Sequence, residues 1–247
     1  MELPAILKEE NVVTAAELLR RYYLEPSTRT GLLSTGSYFD EWANRGDNPE
    51  VRDRITDSDA VAVSMLSVKV PAQAIIGLQE ELLAGKIQGL LADIPTDVKM
   101  SDLTVGEAEA TLGEGSPSWL LWQELRRTPK TRWDVGATTA SKIMARKRPH
   151  LIPIWDKVIG AVVGKDTSEG QWLNWHNLFM EDPDLAGRLG RIHKLSTVQT
   201  PISELRIIDA ILWRYGKDHG IKGGRASKTP NHRLKPASVS DGQMASF

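Results

Sequence analysis

The 247-residue chain contains no cysteine, which excludes disulfide bonds, thiol nucleophiles, iron–sulfur clusters and cysteine-ligated zinc. It also lacks an apolar run near the ~20 residues that a membrane-spanning helix requires. Its N-terminus lacks the basic start and long apolar stretch of a signal peptide. We therefore expect a cytoplasmic protein without membrane association, folded as an ordinary globular chain with 40% hydrophobic and 26% charged residues.

The sequence motifs of several large enzyme classes are absent as well. Neither a Gly-x-x-x-x-Gly-Lys-Ser/Thr phosphate loop nor a Gly-x-Ser-x-Gly nucleophile turn occurs. No two of the five histidines share the His-x-x-x-His spacing that binds a metal from one helix face. We expect neither a metal site nor a cofactor.

Helical periodicity and capping signals recur along the chain, and no alternating strand pattern persists, so we predict an all-α fold. The predicted organisation is an acidic helical lobe over 1–115, whose residues 101–115 form a Gly- and acid-rich linker, and a basic, Trp-rich helical lobe over 116–216. A Gly-, Ser- and Lys-rich tail over 217–247 is predicted to be disordered. Helices are expected near 14–24, 37–45, 60–68, 71–85, 86–93, 116–125, 138–146, 156–163, 168–179, 183–195 and 200–213.

Charge is divided unevenly between the two halves of the chain. Residues 1–120 carry a net charge of −10 and residues 121–247 a net charge of +9. The densest basic stretch has a single acid, Asp134, among eight cations: Arg126, Arg127, Lys130, Arg132, Lys142, Arg146, Lys147 and Arg148. Such a stretch suits contact with a polyanion, and it equally suits a solvated face together with pairing to the acidic half.

Seven of the eight tryptophans fall between residues 119 and 213. Their helical spacing at 119/122 and 172/175 favours packing between helices in the core. Stacking of one or two indoles on a nucleobase is the alternative.

One segment, 132–156, combines features that suit phosphate binding. A turn at Gly136 leads into a helix, and a turn that enters a helix presents unpaired backbone N–H groups. Thr138, Thr139 and Lys142 would flank such a phosphate. The helix ends in the cations Arg146, Lys147 and Arg148, and a short apolar step after it leads to Asp156 at the start of the next helix.

Residues 130–165 resemble the helix–hairpin–helix segment of the DNA glycosylase superfamily. Val135-Gly136-x-x-x-Ala140 matches the turn that grips a DNA phosphate, and Asp156 falls at the position of the catalytic acid. The resemblance implies a duplex DNA partner and hydrolysis of an N-glycosidic bond on a flipped base, with Asp156 as the catalytic residue. Thr138 stands where bifunctional members carry lysine, so no Schiff base is implied. Asp134 replaces the first glycine of the family's turn, and the step from Pro153 to Asp156 is one residue longer than usual.

A second resemblance covers nearly the whole folded chain. The chain is similar to a family of uncharacterised bacterial proteins that share a domain of unknown function. The matching motifs are Gly36-Ser37-Tyr38-Phe39-Asp40, Arg54-Ile55-Thr56-Asp57, Ser67-Val68-Lys69-Val70-Pro71, Ile94-Pro95-Thr96-Asp97, Ala145-Arg146-Lys147-Arg148-Pro149-His150-Leu151-Ile152-Pro153 and Ile202-Ser203-Glu204-Leu205-Arg206. This resemblance implies no known activity.

Two hypotheses about function remain open at this point. In the first, the chain is a monofunctional enzyme of the DNA glycosylase type. In the second, it is a non-catalytic helical protein that binds nucleic acid or a protein partner, and Asp156 only caps the helix that follows it. A catalytic Asp156 requires a partly open cavity with a neighbouring aromatic or amide side chain, whereas a cap requires none.

Overall fold

The computed structural model describes residues 1–28, 30–126 and 133–221. These residues form helices and no β-strand, which confirms the predicted all-α fold. None of their helices is both long and apolar enough to cross a membrane. The helices are α1 (Val12–Leu24), α2 (Asp57–Met65), α3 (Ala72–Leu78), α4 (Glu81–Ala92), α5 (Val105–Leu112), α6 (Pro117–Arg126), α7 (Ala137–Lys147), α8 (Lys157–Val162), α9 (Gln171–Glu181), α10 (Leu185–Ser196) and α11 (Glu204–Asp218).

The predicted linker at 101–115 is wrong, because α5 lies within it. Thr104 is the N-cap of this helix, and its hydroxyl accepts a hydrogen bond from the backbone N–H of Glu107 at 3.3 Å. The Glu107 carboxylate in turn accepts from the Thr104 backbone N–H at 2.8 Å. This reciprocal capping box is a sequence signal that the abundance of Gly and acidic residues obscured.

Two further segments differ from the prediction in how they divide into helices, and the bounds of the other helices are shifted by up to five residues. The segment expected to be one helix over 71–85 is interrupted at residues 79–80, and α4 then runs through Gly85 to Ala92. The short helix expected over 37–45 is replaced by two 3₁₀ turns, at Thr35–Tyr38 and Trp42–Asn44. Residues 43–45 all have positive φ, so this segment turns sharply and does not continue as a helix.

The two halves of the chain share one hydrophobic core. Helix α1 packs against α10 and α11, and α2 packs against α7, so N-terminal elements lie directly on C-terminal ones. Nearly all of the described buried apolar side chains form a single connected cluster from Ile6 to Leu212. The proposed boundary at residue 115 is therefore not marked by a break in the core.

Most tryptophans pack in the core, as their spacing predicted. Five indoles are buried: Trp122, Trp133, Trp155, Trp172 and Trp175. Trp122 and Trp172 meet edge to face, with ring centroids 5.6 Å apart. This packing joins α6 to α9.

Candidate functional site

The three consecutive cations that end α7 lie inside the protein. Arg146, Lys147 and Arg148 are 3%, 0% and 1% exposed. The Lys147 ammonium lies 2.6 Å from a carboxylate oxygen of Asp59, and the Arg148 guanidinium lies 2.6 Å from one of Asp53. At these positions the three side chains are inaccessible to a DNA phosphate. The prediction that they bind nucleic acid is therefore wrong.

Backbone carbonyls of the N-terminal half complete the partners of these cations. The Arg146 guanidinium donates to the carbonyls of Phe39, Asp40 and Trp42, and Lys147 donates to those of Gly46 and Val51. Burial lowers the pKa of the Lys147 ammonium, and the charge of Asp59 opposes that effect. These three cations of the basic half therefore pair with the acidic half and are not available to a polyanion.

The structure also describes two further cations of the predicted basic stretch, Arg126 and Lys142. Arg126 ends α6, and its guanidinium lies over the Trp122 ring at 5.3 Å from the centroid. Lys142 lies one turn into α7 and is 3% exposed. The remaining three, Arg127, Lys130 and Arg132, lie outside the described residues.

Asp156 makes two kinds of contact in the structure, a helix cap and an ion pair. It is the N-cap of α8, where one carboxylate oxygen accepts a hydrogen bond from the Val158 backbone N–H at 2.8 Å. The other oxygen lies 3.2 Å from the Lys142 ammonium, which also donates to the Leu66 carbonyl at 2.9 Å. Because the Asp156 side chain is 19% exposed, the pair lies at the edge of the core.

A small cavity opens in front of this ion pair. Its volume is about 40 Å³. A water needs roughly 10–15 Å³ of such volume, so the cavity has room for a few waters and not for a nucleobase. It is lined by Tyr22, Ser34, Gly36, Met65, Leu66, Ser67, Lys142, Asp156, Asp209 and Trp213.

Asp209 places a second carboxylate in the wall of this cavity. Burial raises its pKa to about 6, and the negative charge of Asp156 acts in the same direction. The cations Arg206 and Lys142 oppose this rise. Asp209 therefore changes between its protonated and its ionised form near pH 6. Asp156, in contrast, forms the direct ion pair with Lys142.

Arg206 fixes the far side of the cavity. Its guanidinium pairs with Asp209 and Asp40, and it donates to the Tyr22 hydroxyl at 3.0 Å and to the Gly36 carbonyl at 2.8 Å. A Cβ atom at Gly36 would lie 2.1 Å from the Tyr22 hydroxyl oxygen, so only glycine allows this close approach. The cavity wall is thus held by buried hydrogen bonds and by close packing.

The turn that leads into α7 is accessible. Gly136 is the N-cap and is exposed, Thr138 is half-buried, and Thr139 is buried at 8% exposure. Asp134 adopts a left-handed conformation with φ of +59°, as its place in a tight turn requires. The Gly136 carbonyl accepts from Ala140, and glycine has no side chain to cap the N–H groups of the first turn.

Sequence reasoning missed Asp209 and Tyr22. A signal for Asp209 did exist, because this carboxylate interrupts the apolar run of α11 between Ile208 and Ala210. Tyr22 gave no such signal, since a tyrosine on an amphipathic helix usually packs in a core. Within residues 1–28, 30–126 and 133–221, no three histidines or carboxylates are grouped as metal ligands.

Comparison with known families agrees with the sequence motifs that span the chain. The chain belongs to a family of unknown function, DUF6308, whose profile matches residues 15–216. No curated protein and no solved structure matches it. The match covers α1 to α11 nearly completely, and therefore includes every residue of the cavity wall.

Proposed function

We propose that the chain hydrolyses a glycosidic bond in a nucleic acid, with Asp156 as the catalytic carboxylate. The observation that carries this proposal is the presence of Asp156 and Asp209 in the wall of one cavity, with Lys142 beside Asp156. Two carboxylates in different surroundings, one beside a cation and one buried, are a usual arrangement for acid–base chemistry on one substrate. The cavity also has the aromatic neighbours, Tyr22 and Trp213, that a catalytic Asp156 was expected to need.

The two carboxylates have different roles in this proposal. Departure of a base leaves a cationic sugar, which a fixed negative charge at Asp156 stabilises. Water then adds at the sugar carbon, and the proton it loses restores the one that Asp209 gave to the base. Asp209, with a pKa of about 6, holds a proton that it can give to the leaving group in mildly acidic solution. The Lys142 ammonium lies 3.2 Å from the Asp156 carboxylate, and the hydrogen bond from the Val158 N–H fixes the direction of that carboxylate.

The proposal assigns nucleic-acid contact to the start of α7. Its first-turn N–H groups and the positive end of the helix dipole suit a backbone phosphate next to Gly136, Thr138 and Thr139. Lys142, initially grouped with these residues, belongs to the cavity instead. The resemblance of 130–165 to the helix–hairpin–helix segment of DNA glycosylases favours duplex DNA as the substrate.

The size of the cavity favours a second candidate function. A volume of about 40 Å³ holds waters only, so catalysis on a base requires the walls to separate. Without such opening, Asp156 and Lys142 simply join α8 to α7 and to the Leu66 carbonyl. The chain would then be a non-catalytic protein that binds nucleic acid or a protein partner.

Base release distinguishes the two functions. The wild-type protein is incubated with duplex oligonucleotides that carry deaminated, oxidised or alkylated bases, and strand cleavage at the resulting abasic sites is measured after alkali. Asp156→Asn should abolish release, and Asp184→Asn, which changes an exposed aspartate at the start of α10, should not. Wild-type protein that releases none of these bases contradicts catalysis and leaves the non-catalytic function.

Binding of DNA is tested separately at the α7 N-terminus. Thr138→Asp places a negative charge where the phosphate is proposed to lie, yet the helix dipole tolerates an acid there. We expect the variant to fold and to bind duplex DNA at least tenfold more weakly at low salt. Thr14→Asp makes the same change in the first turns of α1, where Thr14 is exposed, and should leave binding unchanged. Equal loss in both variants, or none in either, contradicts the assignment.

A further inference from the structure

A second and much larger cleft has walls that do not include Asp156. Its volume is about 730 Å³, which is within the range of ordinary small-molecule sites. It is bounded by α6, by the first residue of α7, and by the segment from Asp166 into α9. The proposed function uses none of these residues.

Four indoles line this cleft: Trp119, Trp122, Trp155 and Trp172. Half of the tryptophans of the chain therefore border one depression. Indole faces bind flat apolar surfaces, including the C–H face of a ring, and so favour a ring-shaped ligand. The Trp122 ring already packs against Trp172 and Arg126, which leaves the half-buried Trp119 as the most accessible of the four.

The inner wall contains hydrogen-bond donors without acceptors. The Arg126 Nε, the Gln171 Nε2 and the Trp172 Nε1 are buried and have no hydrogen-bond partner. Gln171 and Trp172 are 6% and 8% exposed, and all three residues line the cleft. Buried donors normally have partners, so three in one wall indicate that an acceptor reaches them after a small side-chain rotation.

The rim has the opposite character. Glu114, Asp166 and Glu169 are exposed carboxylates, and Thr167 and Ser168 add hydroxyl groups. Among the described residues that line the cleft, these three acids stand against one cation, Arg126, and so disfavour a polyanion such as a nucleic acid. The unpaired donors of the inner wall disfavour an ammonium group at this position, because its nitrogen has no lone pair to accept from them.

A hydroxyl group donates and accepts at once, and a sugar ring presents several hydroxyls around a C–H face. We infer that this cleft binds an uncharged saccharide, whose hydroxyls accept from Arg126 and Gln171 and donate to the rim carboxylates while its ring lies on an indole such as Trp119. The inference is independent of the proposed reaction, because it involves a different cavity and different residues.

The experiment is a titration of the full-length protein with maltotriose, cellotriose and triacetylchitotriose, followed by tryptophan fluorescence and calorimetry. At least one trisaccharide should bind saturably. Trp119→Ala and Glu169→Gln change accessible side chains and should each weaken that binding at least tenfold. Trp42→Ala, which removes an exposed indole elsewhere, should leave it unchanged.

Three results overturn the inference. The first is the absence of binding by all three trisaccharides to a protein that melts cooperatively. The second is binding that Trp119→Ala and Glu169→Gln leave intact. The third is saturable binding of octathymidylate or of choline that Trp119→Ala abolishes. The cleft would then bind an anion or a cation and not an uncharged saccharide. If the protein binds a trisaccharide but releases no base, the saccharide inference is supported and the proposed catalysis is not. The two proposals can therefore be distinguished.

Discussion

Replacing Asp156 by Asn should destabilise the fold by more than the loss of a helix cap. The amide can still accept from the Val158 N–H, so the cap of α8 is retained. The charge opposite Lys142 is lost, however, and for this lysine, which is 3% exposed, the structure describes one other hydrogen-bond partner, the Leu66 carbonyl. Removing one partner of a buried pair costs about 3–5 kcal/mol. We expect about 3 kcal/mol, the lower end, because the Asp156 carboxylate is partly exposed.

The assay is equilibrium unfolding in urea, with Asp156→Ala and Lys142→Met measured alongside. Asp156→Ala loses the cap as well and should cost about 1 kcal/mol more than Asp156→Asn. The double variant Lys142→Met/Asp156→Asn removes both charges, so it should be more stable than the sum of the single changes implies. If Asp156→Asn lies within about 0.5 kcal/mol of wild type, the ion pair contributes nothing and the reasoning about it is refuted.

Other changes test the buried polar groups. Burial raises the folded-state pKa of Asp209 to about 6, so its contribution to the free energy of unfolding is present below pH 4 and is lost as the pH rises through 6. Asp209→Asn lacks this titration, and its free energy of unfolding relative to that of wild type should therefore rise by about 3 kcal/mol between pH 4 and 7. Urea unfolding of both proteins measures the difference. Equal pH profiles of the two proteins would contradict the raised pKa. Lys147→Met removes the cation nearest to the Asp59 carboxylate and should lower the free energy of unfolding by about 3–5 kcal/mol, which would appear as a large fall in Tm. An unchanged Tm would mean that the cation is not buried. Gly36→Ala should lower the Tm, because the added Cβ atom would collide with the Tyr22 hydroxyl. Gly85→Ala, whose added Cβ has no neighbouring atom within 4 Å in α4, should raise the Tm. The reverse order of the two Tm values would contradict the close packing described at Gly36.

Much of the helical fold could be predicted from local sequence. A capping box of Thr56 and Asp59 precedes the apolar run predicted as a helix over 60–68, and it marks the start of α2 at Asp57. In it Asp59 accepts from the Thr56 backbone N–H at 2.8 Å. The apolar spacing of α11 and the cap position of Asp156 were also correct, because both depend on neighbours within one or two helical turns. The same logic failed for α5, where composition was given more weight than the capping box at Thr104.

The site depends on contacts that are remote in sequence, and so it could not be predicted in the same way. Lys147 and Asp59 are 88 positions apart, and only the packing of α2 on α7 reveals that the cation is buried and paired. In the sequence, a run of three cations at a helix end looks the same whether it faces solvent or carbonyls. Asp209 likewise joins Asp156 only because α8 packs on α11.

The central claim, that Asp156 and Asp209 act together on one bond, is tested most directly by the pH dependence of single-turnover base release. The wild-type rate should fall as pH rises through about 6, because Asp209 then loses the proton that it gives to the leaving base. Asp209→Asn should remove that dependence together with most of the rate, and Asp156→Asn should be inactive at every pH. A wild-type rate that does not change between pH 5 and 8, or release of base by Asp156→Asn, contradicts the account.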